Sequence, residues 1–153
     1  MAVVIMLSLH SCSDGNGLSE KEKKQISDDV IKTLHDYVAD ISKSGLTAEL
    51  KYLDNSPEFF WVPPGYGGPI NYDSVRNILN RTAPTFTDVN NSFVMLKVYP
   101  LTEKYATYTA TIQSHVSDTM GMKSNYSLLE TGVMIKRPGG WKLLNGQTTI
   151  LNR

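Results

Sequence analysis

Four runs of β-branched and aromatic residues follow one another from residue 85 to the end of the chain, and they constrain the fold more than any other feature. The runs read NSFVMLKVYPL, EKYATYTATIQSHVSD, NYSLLETGVMIKR and GWKLLNGQTTILN, separated by the short links LTEK, DTMGMK and RPGG. Such short links between strand-forming runs are typical of hairpin connections. The pattern therefore predicts a meander of four antiparallel strands.

The residues before this meander predict helices. Ser19 and Glu22 are spaced as a capping box, which marks a helix start, and Gly45 stands where a helix ends. Between them the apolar residues recur with the spacing of one helix face. They are Ile26, Val30, Ile31, Leu34, Val38 and Ile41. The sequence therefore predicts one long amphipathic helix.

The segment between this helix and the meander predicts three shorter elements. These are a short helix over 47–53, an aromatic strand in EFFWV, and a helix that begins at Asn71 or Asp73 and ends before Pro84. The loop PPGYGGP separates the last two, since its prolines and glycines favour turns. Helices first and strands after, with one early strand, predict an α+β fold with segregated layers.

Composition limits the classes of function. A chain of 153 residues with 41% hydrophobic content forms about one domain. Its 15 basic and 15 acidic residues are interleaved, so no basic stripe exists to attract phosphate backbones, and no nucleic-acid partner is expected. His10, His35 and His115 are scattered without the spacing of a metal site, and no cofactor motif is present. We therefore expect neither a metal nor a cofactor.

The only cysteine, Cys12, follows the short apolar run AVVIMLSL and precedes the polar tether SDGNGLSE. This order resembles a bacterial lipoprotein signal with LHSC as its lipobox, although no Lys or Arg precedes the apolar run and His10 is bulky for its position. The resemblance implies a lipidated Cys12 and a cell-envelope protein that faces the periplasm or exterior. On this reading, residues 1–17 are signal and tether and 18–153 form the domain. A disordered tail with an incidental cysteine is the alternative.

The order of elements and the final hairpin carry a family resemblance. The hairpin has Val133 and Ile135, then the basic pair Lys136 and Arg137 and a Gly turn. Trp141, Lys142 and Leu143 follow, and then the polar residues Asn145, Gln147 and Thr148. This run resembles the SnoaL-like and ketosteroid-isomerase-like branch of the nuclear-transport-factor-like superfamily. The resemblance implies a cystatin-like cone, in which a curved antiparallel sheet wraps around the long N-terminal helix.

In such cones one sheet face lines a pocket, and by resemblance Trp141, Leu143, Asn145 and Gln147 would line it. Relatives often carry histidines in this strand, so the two amides remove the titratable groups. The aromatic cluster around the PPGYGGP loop adds Trp61 and Tyr66 as ligand contacts, and Tyr37 on the long helix is a third candidate. Core packing is the alternative role for these aromatic side chains.

In the strand YATYTATIQSHV, the alternation of side chains separates two faces. One face is rich in threonine and ends in His115, and the other carries Ala106, Tyr108, Ala110 and Ile112. The small apolar set suits packing against a helix. We therefore expect the Thr-rich face to meet solvent or the second subunit of a homodimer.

Three residues are candidates for proton transfer. Glu130 lies within an apolar strand, where a carboxyl group is costly unless paired, hydrogen-bonded or protonated. His115 has a suitable unperturbed pKa, and Asp40 lies beside the apolar stripe of the long helix. Surface exposure or ion pairing is the alternative for each.

The sequence contains no complete catalytic set, so we expect a membrane-anchored domain that binds a small apolar or aromatic molecule. The alternatives are an interaction domain that pairs through its outer sheet face, and an enzyme of the isomerase or dehydratase kind.

Overall fold

The structure, a computed structural model, describes residues 17–152. In chain order its elements are helix α1 (Glu20–Ser44), a 3₁₀-helix (Leu46–Lys51), strand β1 (Phe60–Val62), helix α2 (Tyr72–Thr82), a second 3₁₀-helix (Ala83–Thr85), and strands β2 (Phe86–Pro100), β3 (Tyr105–Asp118), β4 (Lys123–Arg137) and β5 (Gly140–Asn152). The lipidation site predicted at Cys12 lies outside the described residues. Within them, no helix has the length and apolarity needed to cross a membrane.

The five strands form one sheet in the order β1-β5-β4-β3-β2. Strands β2 to β5 pair antiparallel with their neighbours, as the hairpin links predict. The early strand β1 joins the edge in parallel with β5, and Phe60 lies opposite Asn145. The predicted fold class is confirmed: a long N-terminal helix packs against a curved, mainly antiparallel sheet.

Helix α1 has the start, the end and the buried face that its sequence predicts. The Ser19 hydroxyl accepts a hydrogen bond from the Glu22 backbone N–H, and the Glu22 carboxylate accepts one from Ser19, which completes the capping box. At the other end Gly45 has a φ of 82°, a conformation that favours glycine. The buried stripe faces the sheet and consists of Ile26, Val30, Leu34, Tyr37, Val38 and Ile41.

The short element after α1 differs from its prediction. The sequence favours an α-helix over 47–53, whereas the structure has a six-residue 3₁₀-helix, Leu46–Lys51. Leu53 is instead drawn into a β-bridge with Leu143 of β5, which ends the helical segment early. Tertiary pairing therefore overrides local helix propensity here.

A β-bulge in β5 changes which side chains point inward. Met134 of β4 pairs with Leu143, but its predecessor Val133 pairs with Asn145, so Leu144 is an extra residue without a partner. A one-residue shift moves every following side chain to the opposite face. Asn145 and Gln147 therefore lie on the outer face. The inner positions after the bulge are occupied by Gly146 and Thr148.

Strand β3 has the two faces predicted from its alternation. Ala106, Tyr108, Ala110 and Ile112 are buried in the core. The threonines on the other face are half-buried, and His115 is exposed. The Thr-rich face therefore lies away from the core.

Candidate functional site

A cavity of about 360 Å³ lies between the helices and the half of the sheet formed by the end of β3, the start of β2 and β4, and the end of β5. Its wall is mainly apolar and includes Leu46, Trp61, Ile70, Leu79, Ile112 and Leu128. Pockets that bind small molecules have volumes of about 300–1,000 Å³ and are lined mainly by apolar groups. The cavity is therefore large enough for a compact ligand.

Six polar side chains interrupt this apolar wall. They are Tyr37, Glu49, Asn91, Ser114, Glu130 and Thr148. They come from α1, the first 3₁₀-helix and strands β2 to β5, so the tertiary fold assembles the polar group from six separate elements.

Glu130 is held by a chain of hydrogen bonds. The Tyr108 hydroxyl donates to Glu130 Oε1 at 2.7 Å, and the Thr148 hydroxyl donates to Oε2 at 2.9 Å. Trp61 Nε1 donates to the Thr148 oxygen at 3.1 Å. Because the Thr148 oxygen accepts the hydrogen bond from Trp61, the single hydroxyl hydrogen of Thr148 is directed toward Glu130. The carboxyl group is therefore fixed in orientation.

The environment of Glu130 favours its neutral form. The residue is only 5% exposed. Burial raises the pKa of Glu130, although the hydrogen bonds from Tyr108 and Thr148 act in the opposite direction. Desolvation therefore outweighs hydrogen bonding at this carboxyl group.

Glu49 is a second carboxyl group in the same wall, and sequence reasoning missed it. Burial, together with a smaller contribution from the nearby Glu130, raises the pKa of Glu49 to about 8. The residue keeps some accessible surface even though protein surrounds its carboxyl group, because the side chain borders the cavity. Within residues 17–152, no hydrogen bond or ion pair engages its carboxyl group. Glu49 is therefore free to contact a ligand.

Tyr37 completes the ionisable groups of the wall. Burial raises its pKa well above the usual value, and Glu49 and Glu130 contribute to the same shift. Its ring also packs edge-on against Tyr52, with 5.6 Å between the centroids. Tyr37 therefore stays neutral and offers a hydroxyl group to the cavity.

Asn91 presents an acceptor without a partner. Its Oδ1 atom is buried and makes no hydrogen bond. A buried acceptor left unpaired costs about 1–3 kcal/mol.

Two facing glycines allow the side chains of the site to approach the sheet. A Cβ atom on Gly132 would lie 2.9 Å from Tyr108 Cε1, and one on Gly146 would lie 2.7 Å from Trp61 Cζ3. The two glycines pair across β4 and β5. Their lack of side chains therefore allows Tyr108 and Trp61 to reach Glu130 and Thr148.

The structure brings three of the predicted site residues into the cavity wall: Tyr37, Trp61 and Glu130. Trp141 and Leu143 are buried on the inner face, but they pack in the core and do not line the cavity. The expectation that Trp141 and Leu143 line the cavity is therefore not met.

The remaining predicted ligand contacts lie elsewhere. Asn145 and Gln147 are on the outer face because of the bulge in β5, so the expectation that they line the cavity is not met. Tyr66 is 44% exposed and borders a separate surface groove beside Pro64.

Two of the three proton-transfer candidates also lie outside the cavity. His115 is exposed on the outer face, where its Nδ1 lies 2.5 Å from Asn125 Oδ1. Asp40 contacts Lys51 Nζ and the Tyr52 hydroxyl, each at 2.6 Å. Among the three, the structure places only Glu130 in the cavity wall.

The part of the chain that the structure describes contains no cluster of three or more His, Cys, Asp or Glu residues that could hold a metal ion.

The missed residues left signals in the sequence. Glu49 lies three residues after Leu46, on the same side of a helical turn. Asn91 lies between Val89 and Phe93 at every second position, so it shares the apolar face of its strand. A polar residue at an apolar position is the feature that would have identified both.

Comparison with known proteins finds similarity in structure alone. No protein-family model matches the sequence, and no curated protein matches it significantly. Solved structures do match. A ketosteroid isomerase-like protein from Erwinia carotovora superposes with a TM-score of 0.66 at 12% identity, over 82% of this chain and 96% of that chain.

Two further structures have the same architecture. A nuclear transport factor 2 (NTF2-like) superfamily protein from Salmonella enterica serovar Typhimurium matches with a TM-score of 0.69 at 15% identity, over 89% of this chain and 95% of that chain. A hexachlorocyclohexane dehydrochlorinase from Novosphingobium barchaimii matches with a TM-score of 0.70 at 10% identity, over 88% and 92%. At these identities the likeness establishes the fold, which is that of the NTF2-like cones.

Proposed function

We propose that this domain binds a compact, largely apolar small molecule in the cavity. The observation that carries the proposal is the combination of about 360 Å³ of space with a mainly apolar wall and a few polar groups that face it. Space of this size holds on the order of ten water molecules, or a ligand with a similar number of heavy atoms. Displacing water from apolar walls supplies the driving force for such binding.

The test is calorimetric titration with 1-naphthylmethanol, a neutral probe with an apolar body and one hydroxyl group. We expect saturable binding to the wild type. Ser114→Phe places a ring into the cavity and should abolish binding. The neighbouring Gln113→Phe places the same ring on the outer face and should leave binding intact. Equal binding by both variants would locate the probe outside the cavity.

Proton transfer on the bound molecule is the second proposed function. It is supported by Glu49, whose pKa of about 8 suits a group that exchanges a proton near neutral pH. Glu130 is the second candidate because its orientation is fixed by Tyr108 and Thr148. Solved structures with this fold include proteins described as an isomerase-like protein and as a dehydrochlorinase, which adds support for proton chemistry.

A generic proton-transfer probe tests this second function. We expect wild-type protein to catalyse exchange of the acidic C–H hydrogens of 2-tetralone in D₂O, followed by NMR. Glu49→Gln and Glu130→Gln should each slow the exchange if both groups take part. Exchange no faster than in buffer would remove this function and leave ligand binding standing.

Membrane anchoring through Cys12 remains a proposal that rests on the order of apolar run, cysteine and polar tether. Expression of the full chain in a bacterium, followed by membrane fractionation, tests it. The wild type should be found with the membrane, and Cys12→Ala should be released.

Pairing through the outer sheet face is also a proposal. Tyr99 on β2 is 67% exposed and lies opposite Thr107 of the Thr-rich face. Light scattering at high concentration should then give the mass of a dimer, and Tyr99→Glu should give a monomer.

A further inference from the structure

The ionisable side chains that line the cavity are carboxyl and phenol groups. They belong to Tyr37 from α1, Glu49 from the first 3₁₀-helix and Glu130 from β4, and Tyr108 of β3 contacts Glu130. The lining residues from β1, α2, β2 and β5 are uncharged. Among the lining residues that the structure describes, none is Lys, Arg or His. The two carboxyl groups therefore have no cation in the cavity.

Basic residues of the neighbouring segments are engaged elsewhere. Lys51 forms an ion pair with Asp40 at 2.6 Å, and Lys142 donates to the backbone oxygen of Lys51. Arg137 forms two hydrogen bonds with Asp54, at 2.7 and 2.8 Å. None of these three side chains lines the cavity.

The hydrogen-bonding groups of the cavity include a free carboxylate acceptor. The Glu49 carboxyl group makes no hydrogen bond within the described residues, while the Tyr37 and Ser114 hydroxyls in the same wall can donate as well as accept. Acceptors left free in a mainly apolar wall are satisfied by ligand N–H or O–H groups. Trp61 and Tyr37 add aromatic rings, and ring faces attract cations.

We infer that the cavity takes an organic amine, with the ammonium group held by Glu49 and Glu130 and the apolar body against the hydrophobic wall. This inference rests on the proposed ligand-binding function and specifies the chemical class of the ligand. A positive charge between the two carboxyl groups favours their ionised forms and removes the repulsion that would otherwise oppose ionisation of both. A neutral alcohol offers a donor to the same acceptors but supplies no charge.

Proton linkage distinguishes the two ligand types. At pH 5 the Glu49 carboxyl group carries a proton because its pKa is about 8, and burial raises the pKa of Glu130 as well. An amine then meets a cavity with less negative charge. Near pH 8 the carboxyl groups ionise more readily, so affinity for a cation should rise with pH, while affinity for an alcohol should not.

The experiment compares 1-naphthylmethylamine with 1-naphthylmethanol, which share the ring system and differ in the charged group. We expect the amine to bind about tenfold more tightly or better at pH 8, because hydrogen bonds to charged groups are stronger than neutral ones. At pH 5 the preference should be smaller. Titration at pH 7 in two buffers with different ionisation enthalpies should show release of about one proton per amine bound.

Variants assign the effect to the two carboxyl groups. Glu49→Gln and Glu130→Gln should each reduce the preference for the amine and the proton release, while naphthylmethanol still binds. Glu103→Gln, on the exposed link between β2 and β3, is the matched control and should behave as wild type. The proton release measured on wild-type protein keeps the test valid if a variant fails to fold.

The outcomes separate this inference from the function on which it rests. Binding of neither probe would overturn ligand binding itself. Equal affinity for both probes at every pH would overturn the amine inference and leave ligand binding in place. An amine preference that survives both Gln substitutions would also overturn it, because the charge would then be recognised elsewhere.

Discussion

The two ends of the curved sheet are built from the same strands but are filled differently. At one end, here called the filled end, large side chains meet in the core: Tyr108, Met134, Trp141 and Leu143. At the other, here called the open end, the corresponding inward positions carry the cavity residues Asn91, Ser114, Leu128, Glu130 and Thr148. The comparison shows that one continuous meander can supply both a closed core and a binding site.

The boundary between the two ends is set by a few backbone features. The bulge at Leu144 exchanges the inner and outer faces of β5, so that Thr148 rather than Gln147 faces inward. The glycine pair Gly132 and Gly146 lies just beyond it and makes room for Tyr108 and Trp61. The largest buried side chains of the sheet are therefore concentrated at the filled end, and the groups able to contact a ligand lie at the open end.

The largest expected effect follows from truncating a side chain at the filled end. Leu143 is 1% exposed, and Leu143→Ala should lower the free energy of unfolding by about 2–5 kcal/mol, because its removal leaves a void in close-packed surroundings. Urea denaturation measures the loss. Leu128→Ala at the open end is the matched control and should cost less, since Leu128 already borders empty space. Equal losses would contradict the distinction between the two ends.

A second prediction concerns the boundary itself. Gly146→Ala adds a methyl group against Trp61 and the Thr131 carbonyl oxygen, and it should cost about 1–3 kcal/mol of unfolding free energy as the neighbours shift. The emission of Trp61 should change at the same time. Gly139→Ala, in the turn before β5, meets nothing within 4 Å and should be nearly neutral. Similar unfolding curves for the two variants would show that the close approach of Trp61 is unimportant.

A third prediction uses pH to probe the open end. The pKa of Glu49 is about 8 in the folded protein and near its ordinary value of 4.5 when unfolded, so the folded state binds more protons between these values. Its contribution to stability is therefore fully present below about pH 4.5 and is lost as pH rises toward 8. The slope for one proton is at most about 1.4 kcal/mol per pH unit.

Denaturation at a series of pH values checks this linkage. Glu49→Gln cannot ionise and should flatten the decline in unfolding free energy, while Glu103→Gln should retain it. A decline that persists in Glu49→Gln would assign the protons to another group, with Glu130 the next to test, since burial raises its pKa as well.

The buried faces of α1 and β3 were largely predictable from the sequence, because they depend on periodic patterns, whereas Trp141 and Leu143 were expected in a pocket wall and pack in the core. The helical spacing of Val30, Leu34 and Ile41 and the alternation of Ala106 and Tyr108 are local signals, and the structure buries all five residues. Such patterns identify an inner face without any knowledge of the neighbouring elements.

The open end was predictable only in part, since its members are assembled by tertiary structure. Glu130 stands out as a carboxyl group in an apolar strand, and it lies in the wall. Asn145 and Gln147 follow the same alternation as Trp141, but the bulge that displaces them depends on pairing with β4. A bulge of one residue is hard to recognise in the sequence of a single strand. It nevertheless exchanges the inner and outer faces for every residue that follows it.

The smallest expected effect concerns the two proton-transfer candidates outside the cavity. His115→Asn changes an exposed outer-face residue, and Asp40→Asn changes a residue paired with Lys51 and Tyr52. Neither side chain borders the cavity, so affinity for naphthylmethanol should stay within about twofold of wild type, as is usual for distant surface changes. Glu130→Gln, compared with wild type at pH 8 for the amine, should by contrast weaken binding. If His115→Asn or Asp40→Asn weakened naphthylmethanol binding instead, the ligand would have to contact the outer sheet face or the exposed side of α1, and the open end would lose its assignment as the site.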